Sequence, residues 1–232
     1  MRFHILTIFP HILDSYFNES LFRRALQKKL LEIKVHNLRD FSEDRHKKVD
    51  ASPYGGGPGM VLKIEPIVRA VSSILRISPP EADRPRADNA QLLICKKRKK
   101  GARVILFSTR GKKLDEQMAQ RLAKYDELIL ICGRYEGVDE RVAEHIADEE
   151  VSIGDYVLSG GELPAAVLTE AVARKLPGFL GRHESLEEIK GSYPVYTRPE
   201  VLTIDRKKSI VPKVLTTGDH KKILAWRQKK GR

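Results

Sequence analysis

Three glycine-bearing stretches are where this chain could do chemistry. Ser152-Ile153-Gly154-Asp155-Tyr156-Val157-Leu158-Ser159-Gly160-Gly161-Glu162-Leu163-Pro164 places three glycines within eight residues. Its backbone can therefore come close to a ligand, or to another piece of backbone; an ordinary strand–turn–helix joint is the competing reading. Cys132-Gly133-Arg134-Tyr135-Glu136-Gly137-Val138-Asp139-Glu140-Arg141 leaves a strand end, where ligands sit in open α/β sheets, and Ser108 to Lys112 is grouped with it. Pro53-Tyr54-Gly55-Gly56-Gly57-Pro58-Gly59-Met60 belongs to a long polar loop, a type that is usually functional. None of the three is a G-x-G-x-x-G after the first strand, and none ends in the Gly-Lys-Ser/Thr of a phosphate loop. Together they point to a nucleotide-sized pocket of neither common type.

The elements that must position these loops are legible from periodicity. Arg2–Ile8 reads as a buried strand. Leu21, Phe22, Ala25, Leu26 and Leu30 have helical spacing, with Ser20 placed as N-cap. Ile33–Leu38 alternates as a strand and Glu65–Leu75 reads as a helix. Farther on, strands are predicted at Arg103–Phe107, Leu128–Cys132 and into Ser152, with helices at Leu114–Ala123, Asp139–Ile146 and Leu163–Arg174. Strand and helix alternate, so the fold class is α/β with a parallel sheet. Residues 76–102, with Ser-Pro-Pro, Arg-Pro-Arg and Lys96-Lys97-Arg98-Lys99-Lys100, read as a partly disordered surface insertion. Its basic run is either a solvated charge run or an RNA contact. The main domain is expected to span 1–177, a flexible linker 178–199, and a small basic helical module 200–232.

Composition narrows the function. No apolar run approaches the ~20 residues that cross a bilayer, so no membrane role is expected. The N-terminus lacks a signal-peptide cleavage site, and Cys95 and Cys132 have no metal-ligand or disulfide spacing. A reducing cytoplasm and no resident metal are the economical expectations. The net charge is +12, and Glu200 to Arg232 alone carries ten Lys/Arg against three Asp/Glu. Such a basic terminal piece suits a polyanion, nucleic acid before an acidic membrane, or simply serves solubility.

The loops occur in a fixed order with Arg39-Asp40-Phe41, Asp44-Arg45-His46, Tyr196-Thr197-Arg198-Pro199 and Gly218-Asp219-His220…Trp226-Arg227. In this the chain resembles the bacterial tRNA (guanine-N1)-methyltransferase family, TrmD, of the SPOUT class. The resemblance runs from Phe9-Pro10 to Arg227, excepting the insertion and the linker. It implies a homodimer with a C-terminal trefoil knot that binds S-adenosylmethionine. It also implies methylation of N1 of guanosine 37, in the anticodon stem-loop of tRNA. Carried over, the cofactor lies among Ser108, Thr109, Arg110, Gly133, Arg134, Tyr135, Gly137, Ile153, Gly154, Asp155, Tyr156, Val157, Leu158, Gly160, Gly161 and Pro164. Tyr54, Gly55, Gly56 and Arg198 fall at substrate positions.

Guanine N1 must lose a proton as it is methylated, so a carboxylate base and a cation for the carbonyl oxygen are needed. By the resemblance Arg174 serves that oxygen across the dimer, and a helix C-terminal charge is its plainer reading. Asp50 matches a carboxylate near the target base. Glu136 matches an acid tied to proton removal and to a magnesium dependence of catalysis. The linker departs from the family: it is about five residues shorter, and the family's base aspartate falls on Ile189. Glu188 is the nearest replacement, with Glu187 and Glu184 behind it and a solvated acidic linker as the alternative. A second departure is the short run after Trp226-Arg227, where relatives continue through more helices. Methylation of another RNA position, or RNA binding without catalysis, are the rival readings.

Overall fold

The computed structural model describes residues 1–76, 101–180 and 192–231. The expected insertion lies mostly outside the described residues, as does the linker from 181 to 191. Two compact units are present, Met1–Phe179 and Leu180–Arg232.

The first unit runs β1 (Arg2–Thr7), α1 (Asp14–Phe17), α2 (Ser20–Gln27), β2 (Glu32–Asn37), β3 (Asp50–Ala51), β4 (Val61–Leu62), α3 (Ile64–Leu75), β5 (Ala102–Lys113), α4 (Glu116–Leu122), β6 (Glu127–Ile131), α5 (Glu140–His145), β7 (Glu149–Ser152) and α6 (Glu162–Ala173). Five strands make one sheet in the order β2-β1-β6-β5-β7, every pair parallel. Parallel strands need coverage on both faces, which is why β6, Glu-Leu-Ile-Leu-Ile, is buried throughout. Leu6, Val104, Leu106, Ile129 and Ile131 form one core with Ile67, Val68 and Val71 of α3 and with Val142. On α4, Asp115 caps the helix by accepting from the Met118 amide. Ser20, by contrast, is not a capping side chain: α2 starts after Glu19 without a side-chain cap, and Ser20 itself has φ +51°.

Two irregularities shape the C-terminal edge of the sheet. β5 pairs with β7 up to Phe107 opposite Val151, then again at Lys112 opposite the same Val151. Ser108 to Gly111 therefore bulge out of the ladder above the strand ends. The short β3–β4 pair carries the Ser52–Met60 loop, and Leu62 bridges in parallel to Val138.

The second unit is mixed rather than helical. Its helix α7 (His220–Lys230), capped by Asp219, lies where the sequence predicts one, but β8 (Val201–Ile204) and β9 (Lys207–Ile210) precede it as an antiparallel hairpin. Val-Leu-Thr-Ile and Lys-Lys-Ser-Ile are too short to show period, and Asp205-Arg206 turn with φ above zero at both residues.

One buried feature of the first unit has a pH consequence. His4 of β1 is buried and its Nδ1 lies 2.9 Å from Nε2 of His36 on β2, while its own Nε2 meets no partner among the described residues. Burial first, then the His36 ring, hold its pKa down to about 4, against an opposing pull from Glu127. The folded state thus binds fewer protons than the unfolded chain. Stability is full above pH 6.5 and falls as pH drops from 6.5 towards 4. Thermal melts across that window should show a falling Tm, and His4→Leu should flatten the acid limb; an unchanged limb in the variant would refute this account.

Candidate active site

A cavity of about 520 Å3 opens at the C-terminal ends of β5, β6 and β7, the place open α/β sheets use for ligands. Its walls are the bulge after Phe107, the segment Gly133 to Val138 after β6, and the segment Ile153 to Gly161 after β7. Ser108, Thr109, Arg110, Gly133, Arg134, Tyr135, Glu136, Gly137, Ile153, Gly154, Tyr156, Val157, Leu158, Gly160, Gly161 and Pro164 all line it.

Backbone contacts hold the walls together. Gly161 sits where a Cβ would be 2.6 Å from Cys132 Cα, and its amide donates to the Gly133 carbonyl at 2.9 Å. Only glycine lets the start of α6 close onto the β6 exit so tightly. The Ser52–Met60 loop joins the same structure. Glu136 N–H donates to the Met60 carbonyl, Leu62 N–H to that of Gly137, and Asp139 N–H to that of Leu62, each at 3.0 Å. Gly59 (φ +79°) leaves no room for a Cβ beside the Glu136 side chain, 2.5 Å from its Cγ. Thus the Pro53–Met60 and Cys132–Arg141 stretches meet, which neither shows alone.

Under the pocket lies a buried ion pair that the sequence does not announce. Glu162 is 1% exposed; Arg134 Nε donates to its two oxygens at 2.9 and 3.1 Å, and Thr7 Oγ1 donates at 2.6 Å. The Arg134 guanidinium also lies 4.6 Å from the Phe9 ring centre and reaches the Ser159 carbonyl at 3.3 Å. It ties β1, β6, the Ser152–Gly161 segment and α6 together, so its first task is to brace the pocket. The available clue was an acidic residue directly after Gly160-Gly161 at a helix start, where the helix dipole favours it. Cys132 beside it is fully buried, and burial with the Glu162 charge pushes its thiol well above the usual range.

Other candidates stand elsewhere. Asp155 is not in the lining; its carboxylate points outward and pairs with Lys113. Asp50 stands at the root of the Pro53–Met60 loop, in β3, and Tyr54 at its tip is wholly exposed. Gly55 and Gly56, at φ +84° and +79°, face open space. Arg174 ends α6 and does not line the cavity. Arg198 belongs to the second unit. Glu188, Glu187, Glu184 and Ile189 lie outside the described residues. Glu140 and Glu150 line the pocket without having been singled out in the sequence. Arg110 Nη2 donates to Glu140 Oε2 at 2.6 Å, and that bond first raises the Arg110 pKa.

A parallel sheet whose strand ends hold a nucleotide-sized cavity with glycine-lined walls defines an α/β protein of the ligand-binding type. Over residues 1–232 the chain matches the family model described as tRNA (Guanine-1)-methyltransferase TrmD, and it belongs to that family. The tRNA (guanine-N(1)-)-methyltransferases of Dehalococcoides mccartyi and Geobacter sulfurreducens are each 43% identical to it, across 99% of this chain and 85% and 86% of theirs. That of Clostridioides difficile is 42% identical, across 98% of this chain and 91% of its own. The crystal structure of the tRNA (m1G37) methyltransferase from Aquifex aeolicus superposes with a TM-score of 0.73 at 37% identity, covering 97% of this chain and 87% of that one.

Proposed function

We propose that the protein transfers a methyl group from S-adenosylmethionine to N1 of guanosine 37 in the tRNA anticodon stem-loop, and that it works in the cytoplasm as a homodimer. The observation that carries this reading is the cavity, built by the motif loops at the strand ends and of a size that suits one nucleoside-bearing cofactor. The donor set fits: Ile153, Val157 and Leu158 offer an apolar wall, while Gly133, Gly137 and Gly154 leave backbone groups reachable. When bound, S-adenosylmethionine supplies an electrophilic methyl on sulfur. The residues of the chain then have to orient the acceptor, exclude water and take the N1 proton.

Glu136, which lines the cavity beside Gly59, is proposed to act on the acceptor side. Asp50 stands at the root of the adjoining loop, and Tyr54, Gly55 and Gly56 form an exposed arm for the tRNA. Glu188 is the proposed base. Among the described residues no three His, Cys, Asp or Glu side chains cluster as a metal cage. A magnesium requirement is proposed as a contact of Glu136, completed by water and substrate.

The proposed dimer rests on an apolar face. α6 is buried on most sides, yet Leu163 (60% exposed) and Val167 (47%) form a bare apolar stripe, one turn apart. Exposed Ile12 and Tyr16 belong to the neighbouring region, and the Tyr16 hydroxyl donates to Glu170 of α6. We take this face, with Ile12 and Tyr16 beside it, as the proposed interface. A second copy covering it lets Arg174, outside its own cavity, serve the partner's pocket. Sizing should return two chains, and Leu163→Glu should return one chain without activity; a fully active monomer would contradict Arg174 acting in trans. We also propose that the segment after β7 threads the loop preceding it as a trefoil knot, closing at Gly161 on Cys132.

Incubation with labelled S-adenosylmethionine and two tRNAs, with and without guanosine 37, tests the activity. Methyl transfer only to the first is expected. Transfer to both would favour another target position, and transfer to neither would favour an RNA-binding relative.

A further inference from the structure

We propose that Glu140 and Glu150 are positioning residues for the cofactor that act in opposite senses through Arg110, an inference that rests on the cofactor reading above. Glu140 seats the guanidinium outward, and Glu150 is its inward seat in the loaded pocket.

The observation is an uneven fork. Arg110 stands on the bulge that β5 makes over the strand ends, with its amide donating to Ser108 Oγ at 3.1 Å. Its Nη2 is 2.6 Å from Glu140 Oε2, at the first residue of α5, and 4.0 Å from Glu150 Oε2 on β7. That Glu150 oxygen is buried and accepts no hydrogen bond among the described residues. A buried carboxylate oxygen without a donor is costly and uncommon in native structures, and Arg110 Nη2 at 4.0 Å is the donor near enough to serve it. One guanidinium carries five donors in a fixed fork, enough for either carboxylate without moving the backbone.

The two seats differ in surroundings. The side chains of Arg110 and Glu140 are 65% and 57% exposed, so water screens their pair and it breaks readily. Glu150 is 28% exposed and sits at the edge of the cavity. Filling that cavity displaces water and lowers the local dielectric, which strengthens the inward pair more than the outward one. The guanidinium then turns to Glu150, satisfies the orphan oxygen and closes the bulge over the ligand. Glu140 competes for the same group and favours the open form.

The two carboxylates flank one arginine, so a general effect of removing negative charge would move both variants in the same direction. The switch moves them apart. With binding of S-adenosylhomocysteine followed by stopped-flow on the full chain, Glu150→Gln should speed dissociation about tenfold, the scale of one lost charge-assisted hydrogen bond. Glu140→Gln should slow dissociation about twofold. In an Arg110→Gln background neither change should alter the rate further, and matched melting curves would show that the variants are folded. Shifts of the same sign, or an undiminished effect of Glu150→Gln without Arg110, would overturn the inference; the latter would mean that Glu150 touches the ligand itself. If the unaltered protein bound no S-adenosylhomocysteine at all, the cofactor reading would fail instead.

Discussion

Replacing Arg134 with methionine is expected to destabilise the protein by about 3 kcal/mol, the usual scale for stranding one partner of a buried ion pair. The carboxylate left behind, Glu162, is 1% exposed and would keep, among the described residues, only the Thr7 hydroxyl. It cannot reach water without opening the start of α6, where Gly161 is already in backbone contact with Cys132 and Gly133. The arginine's stacking on Phe9 and its reach to the Ser159 carbonyl go as well. The loss should therefore appear twice, as a lower urea midpoint and as weaker binding of S-adenosylhomocysteine, because the same pair braces two pocket walls. Arg134→Met combined with Glu162→Leu should recover a large part of the stability, since the double change leaves no buried charge. A single variant costing under about 1 kcal/mol would show that Glu162 finds another partner cheaply.

This pair also marks the limit of what the sequence discloses. Alternating apolar strands and helices are local signals, so β1, β6, α3 and α6 are read from the sequence to within a residue or so at each end; β5 is read only as far as Phe107, because the polar stretch that carries it through the bulge to Lys113 has no apolar alternation. The glycine stretches are local too, and their order carries the family. What holds them together is not local. Glu162 meets Thr7 across 155 positions, and Met60 to Leu62 zip onto Glu136 to Asp139 through backbone groups that every residue carries. No residue type signals such a pairing in advance. The outward turn of Asp155 is similar: the resemblance assigns it to the cofactor, but it stands in the bend after β7 and its exposed carboxylate pairs with Lys113. The β8–β9 hairpin was hidden for a different reason. Four-residue strands hold two side chains per face, too few for a period to stand out from a helical reading.

Glu188→Gln carries the largest expected effect on catalysis: roughly 10²–10⁴-fold lower turnover, the range that a positioned general base contributes. The reasoning starts from the acceptor. N1 of guanine holds its proton near neutral pH and is a poor nucleophile until the proton has gone, so a carboxylate must stand at the acceptor. Of the carboxylates lining the cavity, Glu140 and Glu150 flank Arg110, which leaves Glu136, whose side chain lies against Gly59; Asp50 belongs to the neighbouring hairpin. The resemblance puts the base position on Ile189, which has no group to accept a proton, and Glu188, the proposed base, is its immediate neighbour with one methylene more than an aspartate. The glutamine keeps size and polarity but cannot accept the proton, so binding of S-adenosylhomocysteine should be unchanged while single-turnover methyl transfer collapses. Raising the pH should partly rescue the variant, because deprotonated guanine no longer needs the base. An unaffected single-turnover rate would remove Glu188 from this role. A loss without pH rescue that Glu136→Gln reproduces in full would transfer the role to Glu136.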